Sequence, residues 1–415
     1  MSSQQRVFVA LDVGTTKVCT LVGDLSRKSE IRILGVGIEP SEGMHRGMVV
    51  DVTAATEAVR ASKRAAERTS GFEIGRAYVS VAGKHIATVN SRGVAGLSGK
   101  RGVVTHEDIE RALQAARAVP LPHNREVLHV IPRTFTLDGQ EGIRNPLNLH
   151  AFRLEVEAHI ITAGSSSLRN LEKAVNDAGL AVDRFVLNPL ASGDVVLTEA
   201  ERESGVVVVD IGGGTTDIAV YIDGTVWHTA VIEVGGHHIT SDIKQVLHLP
   251  THEAERLKIE DGNAVPDTVD PDAVITAQPF GDDLPTQILA HDLSMIIEAR
   301  TDEIFTLVIQ ELKRSGYDGL LPAGVVLTGG SSALANIRHS ANKVMGLPVR
   351  VGVPDKLTGL ADKLGSPAYA TGVGLLSFAQ RLDDGDVRVS PQPRRREGPD
   401  LGKAITDFLS RLLPD

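Results

Sequence analysis

One short motif occurs twice in this chain, each time directly after an apolar, strand-like run. Each copy has an aspartate, a glycine two residues later and then hydroxyl side chains. Glycine lets a strand reverse tightly so that backbone N–H groups point at an anion, and an aspartate can hold a hydrated Mg²⁺. One such hairpin is usually only a turn, but two predict a paired clamp for phosphate groups. The copies contain Asp12, Gly14, Thr15, Thr16 and Lys17, and then Asp210, Gly212, Gly213, Gly214, Thr215, Thr216 and Asp217.

A third apolar run, late in the chain, again leads into a glycine pair. A glycine backbone there can lie flat against an adenine or a ribose. Together with the two clamp motifs, this run predicts a chain built around a nucleotide. The residues assigned to the nucleoside side of the site are Gly235, Gly236, Gly329, Gly330 and Ser331.

The order of these motifs resembles the actin, Hsp70 and sugar-kinase superfamily, in which two domains of related fold close over ATP. The stretches 187–192 and 366–372 resemble the two connecting helices at the hinge of that fold. The resemblance implies an α/β, two-domain actin-like (ribonuclease-H-like) ATPase fold. It also implies ATP or ADP as ligand, with Mg²⁺ held through water by Asp12 and Asp210.

The segment between the two clamp motifs carries a narrower resemblance. Strand-like alternation and a helix opened by Thr105 and Asp108 predict a small α/β unit inserted in the first domain. Three of its segments, at 79–86, 127–132 and 140–146, are similar to the bacterial cell-division protein family FtsA. The expected divisions are the first domain at 1–82, 164–196 and 361–382, the insertion at 83–163, the second domain at 197–242 and 316–360, its small subdomain at 243–315, a flexible linker at 383–399 and a terminal amphipathic helix at 400–415.

The end of the chain changes character twice. Residues 383–399 are rich in Asp, Gly, Pro and Arg and lack apolar periodicity, which predicts a solvated linker. Apolar residues then recur with the helical period, and the helix they predict is about 20 Å long, too short to cross a hydrocarbon core of about 30 Å. It can lie on an anionic membrane surface, which the basic run 394–396 favours, or dock on the protein's own body. Its apolar face contains Leu401, Ile405, Phe408, Leu409, Leu412 and Leu413.

Two positions bear on hydrolysis and two on nucleoside contact. Superfamily hydrolases place Glu or Gln at the first connecting helix, whereas this chain has Asn188, which cannot take a proton, so at most a slow ATPase is expected. Asp217 is either a base, a partner of Mg²⁺-bound water or a structural hydrogen-bond acceptor. Glu255 and Lys258 match a superfamily position that contacts ribose and base, with a surface salt bridge as the alternative.

The FtsA resemblance also implies partners. The family tethers polymers of FtsZ to the cytoplasmic membrane, peripherally and at midcell, and recruits later division proteins. Arg300 and Glu303, on a helix predicted from Asp292 to Lys313, match the site of the FtsZ C-terminal tail, with solvation of a lone surface arginine as the alternative. Self-assembly as an actin-like protofilament would let many weak tails act together on one membrane.

Composition and the tail weigh against other functions. A net charge of −10 and 3% aromatic residues argue against nucleic acid as a partner. A sugar or metabolite kinase of the same fold needs an aspartate that accepts a substrate proton, and it would not explain the terminal helix. A pilus-assembly relative of FtsA does not generally end in such a linker and helix.

Overall fold

The structure is a computed structural model that describes residues 6–27, 30–97, 102–281 and 285–383. The amphipathic helix predicted at 400–415, and the linker beyond Asp383, lie outside these residues.

Within the described ranges the strands are β1 (Val7–Val13), β2 (Lys17–Asp24), β3 (Ile31–Pro40), β4 (Met44–His45), β5 (Met48–Val49), β6 (Arg76–Val81), β7 (Ile86–Gly96), β8 (Arg125–Leu137), β9 (Gln140–Ile143), β10 (Arg153–Gly164), β11 (Ala181–Leu187), β12 (Val206–Ile211), β13 (Thr216–Ile222), β14 (Thr225–Ile232), β15 (Val274–Ala277), β16 (Thr286–Leu289), β17 (Val325–Thr328), β18 (Val349–Val351) and β19 (Leu357–Gly359).

Helices connect and cover these strands. They are α1 (Val52–Ser70), α2 (His106–Arg117), α3 (Ser165–Asp177), α4 (Asn188–Val196), α5 (Glu199–Ser204), α6 (Gly236–Val246), α7 (Thr251–Glu260), α8 (Ala290–Ser315), α9 (Ile337–Met345) and α10 (Ala370–Asp383), with short 3₁₀ turns at Pro266–Thr268, Gly330–Ala333 and Pro367–Tyr369.

Two mixed sheets repeat one topology. In the first, β3, β2 and β1 pair antiparallel, and β6 and β11 follow in parallel, with β19 added beyond β3. In the second, β14, β13 and β12 pair antiparallel, and β17 and β18 follow in parallel. Parallel pairing requires a crossover connection, and helices supply it in both sheets. Each clamp motif therefore forms the first hairpin of its own sheet.

Caps explain where the helices begin. Asp51 accepts the N–H groups of Thr53 and Ala54 at the start of α1, and Gly71 ends that helix in the left-handed conformation. Thr105 and Asp108 form the predicted capping box of α2. At the start of α3, Gly164 precedes the helix and no side chain caps it.

The inserted unit is an antiparallel sheet in the order β7-β10-β8-β9, covered by α2. It is also bonded to the second domain. The guanidinium of Arg133 donates to the Tyr317 hydroxyl at 3.0 Å and lies 4.2 Å from the Trp227 ring centroid. The buried His159 ring contacts the Thr229 hydroxyl at 3.0 Å. The insertion thus contacts both halves of the protein.

Candidate nucleotide site

The two clamp motifs form hairpins of the same geometry. In the first, the N–H of Gly14 donates to the carbonyl of Lys17 at 3.0 Å, and in the second the N–H of Gly212 donates to the carbonyl of Thr215 at 2.9 Å. Asp12 and Asp210 are each the second-last residue of their strand, with Asp12 opposite Cys19 and Asp210 opposite Asp217. The aspartate and the glycine of each motif therefore occupy equivalent positions in the two sheets.

The tips of the two hairpins touch. A Cβ atom on Gly213 would overlap the Thr16 hydroxyl, and one on Gly214 would lie 2.8 Å from the Thr15 hydroxyl. Only glycine permits this approach, so the sequence positions two threonine hydroxyls and a glycine backbone at one place. The two motifs, far apart in the chain, thus form a single cradle of donors.

Three buried carboxyl groups lie below this cradle. Ser80 donates to Asp12 at 2.8 Å, Thr371 donates to Asp210 at 3.0 Å, and Thr215 donates to Asp217 at 3.1 Å. The other carboxyl oxygen of Asp217 is buried without a hydrogen-bond partner. A buried oxygen of this kind is costly unless a ligand or ion provides a partner, which fits a hydrated cation near it.

Burial raises the pKa of all three groups. The pKa of Asp12 is raised by desolvation, against the opposing charge of Lys17 and the bond from Ser80. Burial raises the pKa of Asp210 to about 6, and burial with the neighbouring Asp210 charge raises the pKa of Asp217 well above its usual value. The cluster favours either added protons or an added positive charge. Within the described ranges, no set of three His, Cys, Asp or Glu side chains is arranged to ligate a metal directly.

Lys17 points to the hinge rather than to an acidic partner. Its ammonium group lies 4.9 Å from the ring centroid of Tyr369, in the stretch that resembles the second connecting helix. Asn188 is the first residue of α4, the first connecting element, and its side-chain oxygen is buried without a partner. The first hinge segment therefore places an unpartnered polar atom inside the protein, and the second contacts the lysine of the first clamp motif.

The predicted nucleoside residues also come together. A Cβ atom on Gly236 would overlap the Ser331 hydroxyl and lie 3.6 Å from the Lys258 ammonium, and one on Gly235 would lie 2.7 Å from the Gly212 carbonyl. Gly329 adopts a positive φ of 84° beside Asp210, and Gly330 follows it in the 3₁₀ turn. This side of the cleft is continuous with the second hairpin.

Glu255 and Lys258 form an ion pair at 2.7 Å on α7. The Lys258 ammonium also contacts the Thr240 hydroxyl at 3.0 Å and the Gly236 carbonyl at 3.4 Å. The pair is thus partly buried at the edge of the nucleoside side and is more than a surface salt bridge.

Arg300 lies elsewhere and differs from the expectation of a lone surface arginine. On α8, its guanidinium donates to both carboxyl oxygens of Asp242 on α6, at 2.6 and 2.8 Å, and also contacts Glu303. The two acids raise the pKa of the guanidinium. The side chain is therefore held by two carboxylates, and any partner carboxylate must replace one of them.

Sequence reasoning missed the loop between β4 and β5, which lies against both hairpins. The N–H of Gly47 donates to the Thr15 hydroxyl at 3.2 Å, and the Cα of Arg46 lies 2.8 Å from the position of a Cβ on Gly214. The only signal in the sequence was a second cluster of glycines, Gly43 and Gly47, before α1.

Two sheets of repeated topology, with glycine hairpins meeting across a cleft and a small sheet inserted in the first domain, define an actin-like fold. Solved structures share this fold. The PilM-PilN type IV pilus biogenesis complex matches with a TM-score of 0.63 and 14% identity, over 91% of this chain and 99% of that chain. MreB5 of Spiroplasma citri bound to ADP matches with a TM-score of 0.53 and 17% identity, over 91% and 98%.

Sequence comparisons give the family. Residues 207–374 match the family model "Cell division protein FtsA", and residues 83–162 match "SHS2 domain inserted in FTSA". The FtsA proteins of Pseudomonas aeruginosa and Escherichia coli are 41% and 38% identical over 381 and 386 residues, covering 92% and 91% of this chain and 91% of each relative. The chain belongs to the FtsA family of cell division proteins. Of the helices in the described ranges, none has the length and apolar character that crossing a bilayer requires.

Proposed function

We propose that this chain binds ATP or ADP with Mg²⁺ and uses the nucleotide to control assembly into actin-like filaments that tether FtsZ polymers to the cytoplasmic membrane. One observation carries the nucleotide part: the two glycine hairpins meet tip to tip, with threonine hydroxyls and backbone N–H groups around the contact. Such a cradle suits phosphate oxygens because it offers many donors and no side-chain bulk.

The proposed site has separate groups of residues for the phosphates, the nucleoside and Mg²⁺. The two hairpins and Lys17 would hold the phosphates, while Gly235, Gly236, Ser331 and the Glu255–Lys258 pair would hold the nucleoside. Mg²⁺ would supply the positive charge that the buried carboxyls of Asp12 and Asp210 lack, through bound water. The raised pKa of Asp210 and the unpartnered oxygen of Asp217 support a cation there.

The nucleotide acts as a switch more than as fuel. Phosphoryl transfer to water needs a group that orients or deprotonates the water. Asn188 cannot accept a proton, so it is a weak substitute for the acidic or longer amide residues of hydrolases. Asp217, whose pKa is raised by burial, retains three proposed roles: a base, a partner of Mg²⁺-bound water, or a structural acceptor for Thr215.

Membrane and partner binding are proposed from the tail and from α8. The apolar face that includes Phe408 and Leu409 would lie in the membrane interface, weakly for one molecule and firmly for a filament. Arg300 and Glu303 would take the FtsZ tail once Asp242 is displaced. In this proposal the protein lies peripherally on the cytoplasmic face of the inner membrane at midcell and recruits later division proteins.

The other two functions gain less support. The pilus complex is similar at 14% identity, which concerns the fold alone, whereas relatives named as cell division proteins are close over nearly the whole chain. A metabolite kinase would need a base that faces its substrate. Asp12 and Asp210 accept hydrogen bonds from Ser80 and Thr371, so only Asp217 of the three buried acids has a free oxygen, and a kinase would not explain the amphipathic tail.

Calorimetry on the purified chain tests the nucleotide proposal. We expect ATP and ADP to bind when Mg²⁺ is present, and Gly213→Ala to weaken both, because its methyl group would overlap the Thr16 hydroxyl. Gly75→Ala is the matched control, since a Cβ there meets nothing within 4 Å. No binding by the unmodified chain would refute the proposal. Phosphate release at the ordinary kinase rate of about 1–100 s⁻¹ would refute the switch.

A further inference from the structure

The loop between β4 and β5 reaches across the cleft with one cationic side chain. A terminal nitrogen of Arg46 lies 3.6 Å from a carboxyl oxygen of Glu233, in the connection from β14 to α6. The other terminal nitrogen lies 3.4 Å from Nε2 of His238, at the start of α6. Arg46 belongs to the first domain and both neighbours to the second, so these contacts bridge the two halves.

The contacts that hold the Arg46 side chain are weak. The N–H of Gly235 approaches Nδ1 of His238 at 3.2 Å, and a neutral imidazole has only one acceptor nitrogen. Burial, and then the nearby Arg46 charge, lower the pKa of His238, so the ring is neutral and its Nε2 carries the proton. That nitrogen cannot accept from Arg46. What remains is an ion pair with Glu233 in which both side chains are more than one-third exposed, and ion pairs so exposed to solvent contribute little to stability.

The position of Arg46 along the cleft indicates which ligand atoms it could meet. The nucleoside side lies at Gly236, Ser331 and Lys258, and the hairpin tips lie at Thr15 and Gly214. The backbone of Arg46 is packed against Gly214. Arg46 is thus at the end of the cradle marked by the hairpin tips, where the last phosphate group of a nucleotide would lie.

A second residue of α6 completes this end of the site. Nε2 of His237 lies 3.4 Å from the Thr16 hydroxyl, and its backbone N–H donates to the Gly213 carbonyl at 2.8 Å. Burial, and then the nearby Lys258 charge, lower the pKa of His237, so the ring acts as a neutral hydrogen-bonding group. His237 therefore positions Thr16, while Arg46 brings the charge.

We propose that Arg46 recognises the terminal phosphate of a nucleoside triphosphate, leaving Glu233 for the phosphate, and that this exchange distinguishes ATP from ADP. The inference rests on the proposed nucleotide site and names its specificity. The planar guanidinium can donate two parallel hydrogen bonds to a phosphate, which are stronger than its contact with an exposed carboxylate. Glu233 is left in solvent, where an unpaired carboxylate costs little.

Two substitutions move ATP affinity in opposite directions. Arg46→Gln removes the charge and leaves a shorter, neutral polar side chain, so the dissociation constant for ATP should rise about ten-fold or more while that for ADP changes less than about two-fold. Glu233→Gln removes the competing carboxylate and should lower the dissociation constant for ATP by a few-fold, again without effect on ADP. Arg111→Gln is the control, because Arg111 is equally exposed, also pairs with an acid, and lies in the insertion.

The measurement is calorimetry of the full chain with ATP·Mg²⁺ and with ADP·Mg²⁺, with a thermal unfolding scan of each variant. Equal losses for both nucleotides, or no loss for Arg46→Gln, would overturn the inference. If Arg46→Gln fails to fold, Glu233→Gln decides, since unchanged ATP affinity there would also overturn it. Absence of binding by the unmodified chain would be a different result, which refutes the nucleotide site and this inference with it.

Discussion

At the scale of single residues, Asp210 links stability to ligand binding. Its pKa is about 3.8 in the unfolded chain and about 6 when folded, so the folded state binds more protons between these values. The free energy of unfolding attributable to this group therefore falls as pH rises from about 4 to about 6. A cation can bind the Asp210 carboxyl group only when that group is ionised, and burial disfavours its ionised form.

We predict that Asp210→Asn stabilises the chain above pH 6 by up to about 3 kcal/mol and removes Mg²⁺-dependent nucleotide affinity, because the neutral amide suits burial but not a cation. Denaturant unfolding at pH 4 and pH 7, with calorimetry, measures both effects. Asp223→Asn removes an exposed carboxylate of the same sheet as a control. A variant that is less stable at pH 7, or that binds as before, would contradict the prediction.

Local spacing explains what the sequence could predict of the site. The hairpins, the buried aspartates and the caps of α1 and α2 each follow from residues within a few positions of one another. Arg46, Glu233 and Ser80 were missed because only the folding of separate strands brings them to the cleft. The pairing of Arg300 with Asp242, on different helices, was unpredictable for the same reason.

At the scale of elements, α6 and α8 hold the proposed partner site closed by that ion pair. We predict that Asp242→Asn raises the affinity for an FtsZ C-terminal tail peptide, because Arg300 is freed to bind a carboxylate, and that Arg300→Glu lowers it. Fluorescence anisotropy with a labelled peptide measures both. Lys343→Gln is the control, since Lys343 on α9 pairs with Glu298, which lies on α8 like Arg300. Unchanged affinity in both test variants would remove this site from consideration.

At the scale of the whole molecule, contacts of α10 set how far the chain can be shortened. Gln380 donates to the carbonyls of Leu25 and Arg27 at 3.2 and 3.0 Å, and Arg381 pairs with Asp194, so α10 must be kept to its end at Asp383. The sequence-based boundary at 382 lies one residue inside that helix.

We predict that a chain truncated after Asp383 loses sedimentation with anionic liposomes and keeps nucleotide affinity, since the apolar tail face is gone and the cleft is intact. In the full chain, Phe408→Asp should act like the truncation, whereas Thr406→Asp, on the polar face, should retain most of the binding. Equal sedimentation of Phe408→Asp and the unmodified chain would contradict membrane attachment through this face.

The bonds from Arg133 to Tyr317 and from His159 to Thr229 give the insertion two attachments, one through the chain to the first lobe and one through side chains to the second. Rotation of the lobes about the hinge must break those bonds or swing the insertion along. In the proposed filament, a change in the cleft would thereby reach an outer surface of the subunit that lies far from the nucleotide.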